Sequence, residues 1–383
     1  MIQPAGAHTV REHNRSLLLN AIAAAPGQSR ARLAATTHLA RATVSAQVDE
    51  LIAGGLVIET PPPRPTRGRP ASPLLLNPAG PAGLGIEINA GYLSACVVDL
   101  TGAVRSRRRM TVDNRAAHPT ATIEAAADLA AAVLSESGLR AAGVALGIPA
   151  LVGLGGVAGR APNLPGWRGF PAADALARAV GVPVVTVDNE ANLAALAEHR
   201  YGDGADSFVH VSGEIGVGGG LVLGGELFRG VRGYAGELGH ISIDPTGPAC
   251  GCGGHGCVEQ FAGQIALLRS ARASSTAALI GAAERGDRTA LDAISQAGTA
   301  LGVALAGVIN VVDVPVAILG GMYARLGPWL VPPLAAELDA RVVSGLSVQV
   351  RTGALGSDAA MLGAAGAVLD AVMAGDVPTA VRA

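Results

Sequence analysis

A proline-rich segment near residue 60 is the feature that most constrains what this sequence can fold into. Residues 60–73, TPPPRPTRGRPASP, contain six prolines, three arginines and no other apolar residue larger than alanine. Proline fixes φ and lacks a backbone N–H, so this run cannot continue a helix or a central strand. We therefore predict an N-terminal domain over residues 1–78 and a larger domain over residues 79–383.

The N-terminal part has the element order of a winged helix-turn-helix. Apolar spacing predicts helices over residues 15–25 and 29–37, and a third from residue 40 that ends at Gly54-Gly55, before a strand. Ala40 stands where a capping serine would be expected. Such a unit either binds DNA or is a three-helix domain that binds another protein. In the DNA-binding interpretation, the third helix offers side chains suited to bases and phosphates: Arg41, Thr43, Ser45 and Gln47.

The basic proline-rich segment itself has two interpretations. It is either a linker between domains or a wing whose tip, Arg67-Gly68-Arg69-Pro70, lies in a DNA minor groove. Narrow A·T grooves attract arginine, and glycine lets the backbone approach closely. In the second interpretation Arg67 and Arg69 bind DNA. The sequence does not separate the two, and both roles are compatible.

Composition excludes several classes of protein. The net charge is −2 and half of the residues are hydrophobic, which argues against a chain coated in nucleic acid. Four cysteines in 383 residues exclude a secreted disulfide scaffold. The first residues have no apolar run of a signal peptide, and polar residues and proline interrupt the apolar stretch 301–321. We expect a soluble, cytoplasmic protein with no membrane partner.

Three of the cysteines lie within eight residues. Cys250, Cys252 and Cys257 stand in a glycine-rich turn, in a reducing compartment that disfavours a disulfide. The pattern predicts a tetrahedral Cys₃His zinc site, with His240 or His255 as the fourth ligand. His240 is preferred because it follows a strand-like approach. Four protein ligands leave no open position for water, which favours a structural ion. The fourth cysteine, Cys96, is isolated and predicted to lie in the core.

From residue 81 onward, β- and α-segments alternate along the chain. Examples are a strand pair over 83–104, a helix over 120–138 and a strand, polar turn and helix over 183–202. The alternation predicts an α/β architecture. It resembles the actin-like ATPase fold of sugar kinases, in which two α/β lobes enclose a cleft.

Five motifs in one order, together with the winged helix, resemble the ROK family of bacterial sugar kinases and sugar-responsive repressors over about residues 10–370. They are PNLPGW, VDNEANLAALAE, GVGGGLVLGGELFRGVRGYAGELGH, CGCGGHGCVEQFAG and AILGG. The resemblance implies zinc ligands at His240, Cys250, Cys252 and Cys257. It implies sugar contacts at Asn163, Asn189, Glu190, Glu237, His240 and Glu259. One ring nitrogen of His240 would then face zinc and the other a sugar hydroxyl.

The nucleotide-binding motifs of the family's kinases are altered. Kinases of this family carry Asp-x-Gly-Gly-Thr on the first strand, and this chain has Glu-Ile-Asn-Ala-Gly at 87–91. Their second phosphate turn, Gly-Thr-Gly, is Glu214-Ile215-Gly216 here, and Glu190 replaces the catalytic Asp. These changes remove hydroxyls and add a carboxylate where phosphate approaches. We predict no catalysis.

The preferred hypothesis is a sugar-responsive transcriptional regulator, with a repressor as its expected form. A ROK-type sugar kinase with an accessory DNA-binding domain, and a DNA-binding scaffold with a vestigial pocket, are the alternatives. One winged helix offers few base contacts, so a homodimer or a dimer of dimers on an inverted-repeat operator is expected. The effector is a sugar or a sugar phosphate.

Overall fold

Three short helices begin the described chain and enclose a small apolar core. The computed structural model describes residues 7–61, 72–153, 155–202, 205–345 and 347–375. The Ser29 hydroxyl accepts a hydrogen bond from the backbone N–H of Arg32, which confirms the predicted cap of the second helix. Ala40 provides no side-chain cap to the third. The helices are α1 (Ala7–Ala24), α2 (Arg30–Thr37) and α3 (Arg41–Ala53).

A two-stranded sheet completes this unit. Strand β1 (Val57–Glu59) pairs antiparallel with β2 (Leu74–Leu76), and the backbone N–H of Thr60 donates to the carbonyl of Pro73. The proline-rich segment therefore connects two strands of one hairpin, in the position of a wing. It is not the connection to the next domain, which is formed by residues 77–81. Arg67 and Arg69 lie outside the described residues.

The first lobe is built on a five-stranded sheet in the order β5-β4-β3-β6-β7. Strand β3 runs antiparallel to β4 and parallel to β6, because a tight turn follows β3 whereas a helix precedes β6. The elements are β3 (Ala82–Ile88), β4 (Tyr92–Val98), β5 (Val104–Thr111), α4 (Pro119–Ser137), β6 (Ala141–Ile148), α5 (Ala172–Val180) and β7 (Val184–Asn189).

The second lobe repeats this arrangement in the order β10-β9-β8-β11-β12. As in the first lobe, the first two strand pairings in this order are antiparallel and the next two are parallel. Helix α6 (Glu190–Tyr201) leads from one lobe into the other. The remaining elements are β8 (Phe208–Gly213), β9 (Val217–Leu223), β10 (Glu226–Leu227), α7 (Glu259–Ala262), α8 (Gln264–Ser270), α9 (Thr276–Glu284), α10 (Arg288–Val312), β11 (Val316–Gly321), α11 (Met322–Arg341) and β12 (Gln349–Thr352).

The last helix, α12 (Ala359–Ala374), returns to the first lobe and joins the domains. It packs against α6, against the first-lobe sheet and against α1. Leu18 and Ile22 of α1 therefore share one buried core with Leu369 of α12 and Leu193 of α6. The winged helix is thus attached to the larger domain by apolar packing as well as by the chain itself.

Among the described residues, two helical segments, Arg288–Val312 and Gly356–Ala374, have the length and hydropathy to cross a membrane. More than half of the most apolar part of each is buried inside the protein. Residues 301–321, the apolar stretch noted in the sequence, form the end of α10 and then strand β11. Both segments are therefore explained as core helices.

Glycine allows the closest approach between the helices. A Cβ added at Gly363 of α12 would overlap the backbone carbonyl of Leu193 in α6. Neither backbone can move aside without separating the two helices. A Cβ added at Gly366, three residues along α12, would have its nearest neighbour, the Cδ atom of Arg200, at 3.4 Å, which is an ordinary contact.

We predict that Gly363→Ala lowers the free energy of unfolding by about 1–3 kcal/mol, the usual cost of overpacking. Gly366→Ala is the matched control: it has room for the methyl group and should be neutral or stabilising by up to about 1 kcal/mol, because alanine favours a helix. Chemical denaturation of the two variants measures the difference. Equal effects would contradict the close approach of α6 and α12.

Candidate functional site

A polar cavity of about 170 Å³ lies between the two lobes. That is below the ~300–1,000 Å³ typical of pockets for drug-sized ligands, and it suits one small ring. The first lobe contributes the loop after β6 and the end of β7, and the second lobe contributes the β8–β9 turn and residues 236–259. All six sugar contacts implied by the sequence line this cavity: Asn163, Asn189, Glu190, Glu237, His240 and Glu259.

Asn189 and Glu190, at the start of helix α6, have different surroundings. Asn189 is the N-cap of α6: its side-chain oxygen accepts from the Ala191 N–H at 2.8 Å, and its amide donates to the Ala150 carbonyl at 3.2 Å. Helix α6 therefore begins directly after β7, without the predicted polar turn. Glu190 has one carboxylate oxygen that is buried and without a protein partner. Such an oxygen is available to a ligand hydroxyl.

The second lobe supplies the opposite wall of the cavity. His240 Nε2 lies 3.9 Å from Glu237 Oε2. Glu259 Oε2 accepts from the Val217 N–H at 3.3 Å. Burial raises the pKa of Glu237, and nearby Glu259 raises it further, whereas His240 lowers it. These groups give a row of acceptors and one ring nitrogen, which suits the hydroxyls of a sugar.

The three clustered thiols and His240 form one group. Their ligand atoms all lie within 4.8 Å of one another, with Cys252 Sγ 3.6 Å from Cys257 Sγ and Cys250 Sγ 3.8 Å from His240 Nδ1. Tetrahedral zinc with Zn–S bonds of about 2.3 Å requires sulfurs about 3.8 Å apart, so the donor set fits this ion. His255 is exposed and outside this group. Cys96 is buried, as predicted.

Two contacts across the cleft had no signal in the sequence analysis. Arg160 of the first lobe donates to the carbonyls of Gly251 and Cys252 in the cysteine loop, both at 2.7 Å. Asp188, at the end of β7, forms an ion pair with Arg229 of the second lobe. Only the tertiary structure places these partners together, because each pair is separated by more than 40 residues. They hold the lobes against each other at the cavity.

The altered phosphate motifs contribute Asn89, Ala90 and Glu214 to the lining of the cavity. Glu87 is buried in the first lobe, where its carboxylate accepts hydrogen bonds from Tyr92 at 2.5 Å and Ser94 at 3.1 Å. Its position away from the cavity lining shows that this carboxylate is a part of the lobe interior.

The predicted DNA contacts on α3 do not all share one face. Arg41 is exposed, and Thr43 and Ser45 are half-buried. Gln47 is different: its side chain is buried with 7% exposure, beside Val44 and Val48. The predicted DNA contact of Gln47 is therefore corrected, since its position on the helix turns its side chain towards the core.

A winged helix-turn-helix joined to a two-lobed domain, with a polar cavity between the lobes, defines a DNA-binding protein with a sugar-kinase-type domain. Residues 83–371 match the ROK family, and residues 13–68 match the MarR family. The chain belongs to the ROK family, with a MarR-like winged helix at its N-terminus.

Relatives of two kinds resemble this chain. The xylose repressor of Bacillus subtilis is 29% identical over 372 residues, which cover 94% of this chain and 96% of the repressor. A crystal structure of a ROK family transcriptional regulator, a homologue of the E. coli MLC protein, superposes with a TM-score of 0.82 at 26% identity and covers 96% of this chain and 98% of its own. A glucokinase of Halalkalibacterium halodurans is 34% identical over 248 residues, 58% of this chain and 74% of the kinase.

Glu214 gives the cavity a pH dependence. Burial and the nearby charge of Glu87 raise the pKa of its carboxyl to about 8, against the opposing effect of Arg109. The folded protein therefore keeps this proton up to about pH 8, whereas an exposed glutamate has a pKa of 4.5. Because Glu214 holds its proton in the folded state between these values, its contribution to the free energy of unfolding decreases as the pH rises from about 4.5 to 8.

We predict that Glu214→Gln, which cannot ionise, is more stable than the wild type at pH 8 by at least about 1 kcal/mol, a lower bound set below the ~1.4 kcal/mol of a one-unit pKa shift. The advantage should diminish towards pH 5. Urea denaturation at both pH values measures it, with Glu226→Gln, an exposed position on β10, as the control. A Glu214→Gln effect of the same size at pH 5 and pH 8 would contradict the assignment.

Proposed function

We propose that this protein is a sugar-responsive, DNA-binding transcriptional repressor of carbohydrate-metabolism genes that acts in the cytoplasm. The observation that carries the proposal is the contrast between two groups of residues that line the cavity. Asn163, Glu237 and His240 line it with groups that match hydroxyls. Glu214 and Ala90 line it at the positions where a kinase requires backbone N–H groups and a hydroxyl.

The DNA-binding part is the winged helix of residues 1–78, and residues 79–383 form the effector domain. Arg41 on α3, with Thr43 and Ser45, contacts the operator, and Arg67 and Arg69 of the wing reach the minor groove. The repressor acts as a homodimer or a dimer of dimers on an inverted repeat, because one winged helix gives too few base contacts for a useful specificity ratio.

The packing of α6 and α12 supplies a path from the cavity to the winged helix. Asn189 caps α6 at the cavity, Leu193 of α6 meets Gly363 of α12, and α12 packs on α1. Arg200 of α6 also pairs with Asp370 of α12. A ligand that moves the start of α6 therefore moves a helix that supports the DNA-binding unit. The sugar shifts the equilibrium between DNA-bound and DNA-free protein only if it binds the two arrangements of these helices with different affinities.

One structural zinc ion per chain completes the proposal, held by His240, Cys250, Cys252 and Cys257. The distance from His240 Nδ1 to Cys250 Sγ supports Nδ1 as the zinc ligand, which leaves Nε2 on the side of Glu237 and the cavity. The ion would fix the tautomer and direction of the imidazole, so that Nε2–H donates to a sugar hydroxyl. Arg160 links this loop to the first lobe.

A catalytically active ROK sugar kinase is the second candidate, and the similarity to the glucokinase favours it. A kinase would release ADP when given ATP and its sugar. A repressor with a vestigial pocket would bind DNA and no sugar. The proposed regulator binds both and releases no ADP, so DNA binding and ADP release, measured with a sugar panel, separate the three functions.

The Glu237→Gln variant is predicted to bind operator DNA with wild-type affinity and to lose its response to the sugar. The lost acceptor leaves a buried hydroxyl unmatched, which costs about 1–3 kcal/mol. DNA binding with and without the sugar found in a thermal-shift screen measures both properties.

Arg41→Ala is the reciprocal control for Glu237→Gln, since it should weaken DNA binding and keep sugar binding. Glu226→Gln, which is exposed and remote from the cavity lining, should change neither property. A Glu237→Gln protein that responds at the wild-type sugar concentration would show that the pocket is assigned wrongly.

Metal analysis of protein prepared without chelator should find about one zinc per chain. Cys252→Ser removes one of four ligands and should lose the ion and the sugar response, while the helical far-UV signal of the winged helix persists. Cys96→Ser, outside the group, is the control that should retain zinc. Wild-type protein without zinc would exclude the proposed ion.

A further inference from the structure

A short segment of the first lobe, residues 160–163, reaches the second lobe at both of its ends. At one end, the two terminal nitrogens of Arg160 donate to two consecutive carbonyls of the cysteine loop, both at 2.7 Å. At the other end, the side-chain nitrogen of Asn163 would lie 3.6 Å from a Cβ added at Gly216, in the turn between β8 and β9. Arg160 and Asn163 both line the cavity. The segment therefore crosses the cleft beside the proposed ligand site.

The first lobe anchors this segment through its apolar side chains. Ala161 and Leu164 belong to the first-lobe core, and the backbone N–H of Leu164 donates to the Ala161 carbonyl at 3.0 Å. The side chains that face the cleft are less enclosed, since Arg160 is exposed and Asn163 is half-buried. The core thus fixes the segment to its own lobe, whereas its position relative to the second lobe depends on the contact made by Arg160.

The two carbonyls that accept from Arg160 belong to the tip of the cysteine loop. A Cβ added at Gly251 or Gly253 would meet no atom of the described residues within 4 Å, apart from its chain neighbours, so packing holds this tip only weakly. Besides the backbone bonds of the turn itself, the tip is held by the Cys252 side chain. Its Sγ accepts from the Gly254 N–H at 3.4 Å and lies 3.6 Å from Cys257 Sγ. The direction of both carbonyls therefore depends on the group of thiols.

A guanidinium is the side chain most dependent on such an arrangement. It presents its donors in a fixed planar fork, and its charge strengthens each hydrogen bond to a carbonyl. Two consecutive carbonyls can accept from both terminal nitrogens only when they point in one direction. Because Arg160 is exposed, water competes for the same donors, and a disordered loop would lose that competition. Order in the loop before the contact forms reduces the entropic cost of the contact.

We propose that Arg160 is a positioning residue that makes the order of residues 160–163 conditional on the metal. With the ion bound, the thiols fix the tip of the cysteine loop, the tip fixes Arg160, and Arg160 sets the position of Asn163 across the cleft. This inference rests on the proposed zinc ion and sugar site, and it adds a second connection between them besides His240. A segment that is already ordered costs the ligand less, so the metal increases the affinity for the ligand.

Hydrogen exchange on the full-length protein, zinc-loaded and after chelation by EDTA, tests the proposal in the wild type and in Arg160→Gln. The hydrogen-bonded amides of Gly159 and Leu164 report the order of the segment. In the wild type, chelation should increase exchange over residues 158–164 at least about threefold. Arg160→Gln should retain its zinc, show the increased rate with zinc bound and change little on chelation. Strand β3 is the internal reference and should exchange equally in all four samples.

Two further variants separate the geometry of Arg160 from its charge and from lobe contact in general. Arg160→Lys keeps the charge and loses the planar fork, so it should behave as Arg160→Gln does. Arg229→Gln is the matched control, because it removes the other contact between the lobes, with Asp188, and leaves the cysteine loop unchanged. In Arg229→Gln, chelation should increase exchange over residues 158–164 as it does in the wild type.

Calorimetry with D-xylose, D-glucose and D-glucosamine connects the segment to ligand binding. A sugar that binds the zinc-loaded wild type should bind zinc-loaded Arg160→Gln at least about fivefold more weakly, because the ligand must then order the segment itself. Equal affinities would contradict the role of Arg160 in positioning Asn163.

The outcomes distinguish this inference from the proposed function. A wild type whose residues 158–164 exchange equally with and without zinc overturns the inference and leaves sugar sensing intact. A chelation effect in Arg160→Gln as large as in the wild type, or loss of zinc from this variant, refutes the role of Arg160. Zinc-dependent exchange in a wild type that binds none of the three sugars supports the connection through Arg160 and counts against the proposed sugar response.

Discussion

The close contact of helix α6 with its two neighbours is the constraint on which the rest of the structure depends. On one side, Gly218 and Gly220 of strand β9 leave room only for the methyl groups of Ala191 and Ala195. On the other side, the carbonyl of Leu193 lies against Gly363 of α12. Small residues bring backbones together, and closely packed interiors transmit displacement instead of absorbing it. One helix therefore connects the second lobe, the cavity and, through α12, the winged helix.

The cavity combines two opposed electrostatic requirements. Its carboxylates provide acceptors for hydroxyls, but burying several acids together is unfavourable unless protons, hydrogen bonds or ligands compensate them. Glu87 is compensated by Tyr92 and Ser94, whereas Glu190 keeps a buried oxygen without a protein partner. A site with unmatched acceptors discriminates strongly among ligands, because a ligand that fails to supply the missing donors leaves the cost of burial in place.

The cysteine loop lies at the same edge of the cleft as the two contacts that join the lobes. Arg160 connects the first lobe to the loop that carries Cys252, and the ion pair of Asp188 with Arg229 lies on the neighbouring strand end. His240 therefore lies between the thiols on one side and Glu237 on the other. A donor set suited to a structural ion stands directly beside the cavity between the lobes.

Local patterns in the sequence determined the elements and much of the site. The helices of the winged unit, the Ser29 cap, the two-lobed α/β fold and the cavity-lining positions all follow from spacing and from family motifs, because each depends on residues close in the chain or on a recognised pattern. Tertiary structure decided the rest. The burial of Gln47, the pairing of Arg160 with the cysteine loop and the contact of Glu214 with Gly321 depend on elements that meet only in the folded molecule. A side chain's neighbours across a lobe interface leave no periodicity in the sequence, and only the fold shows them.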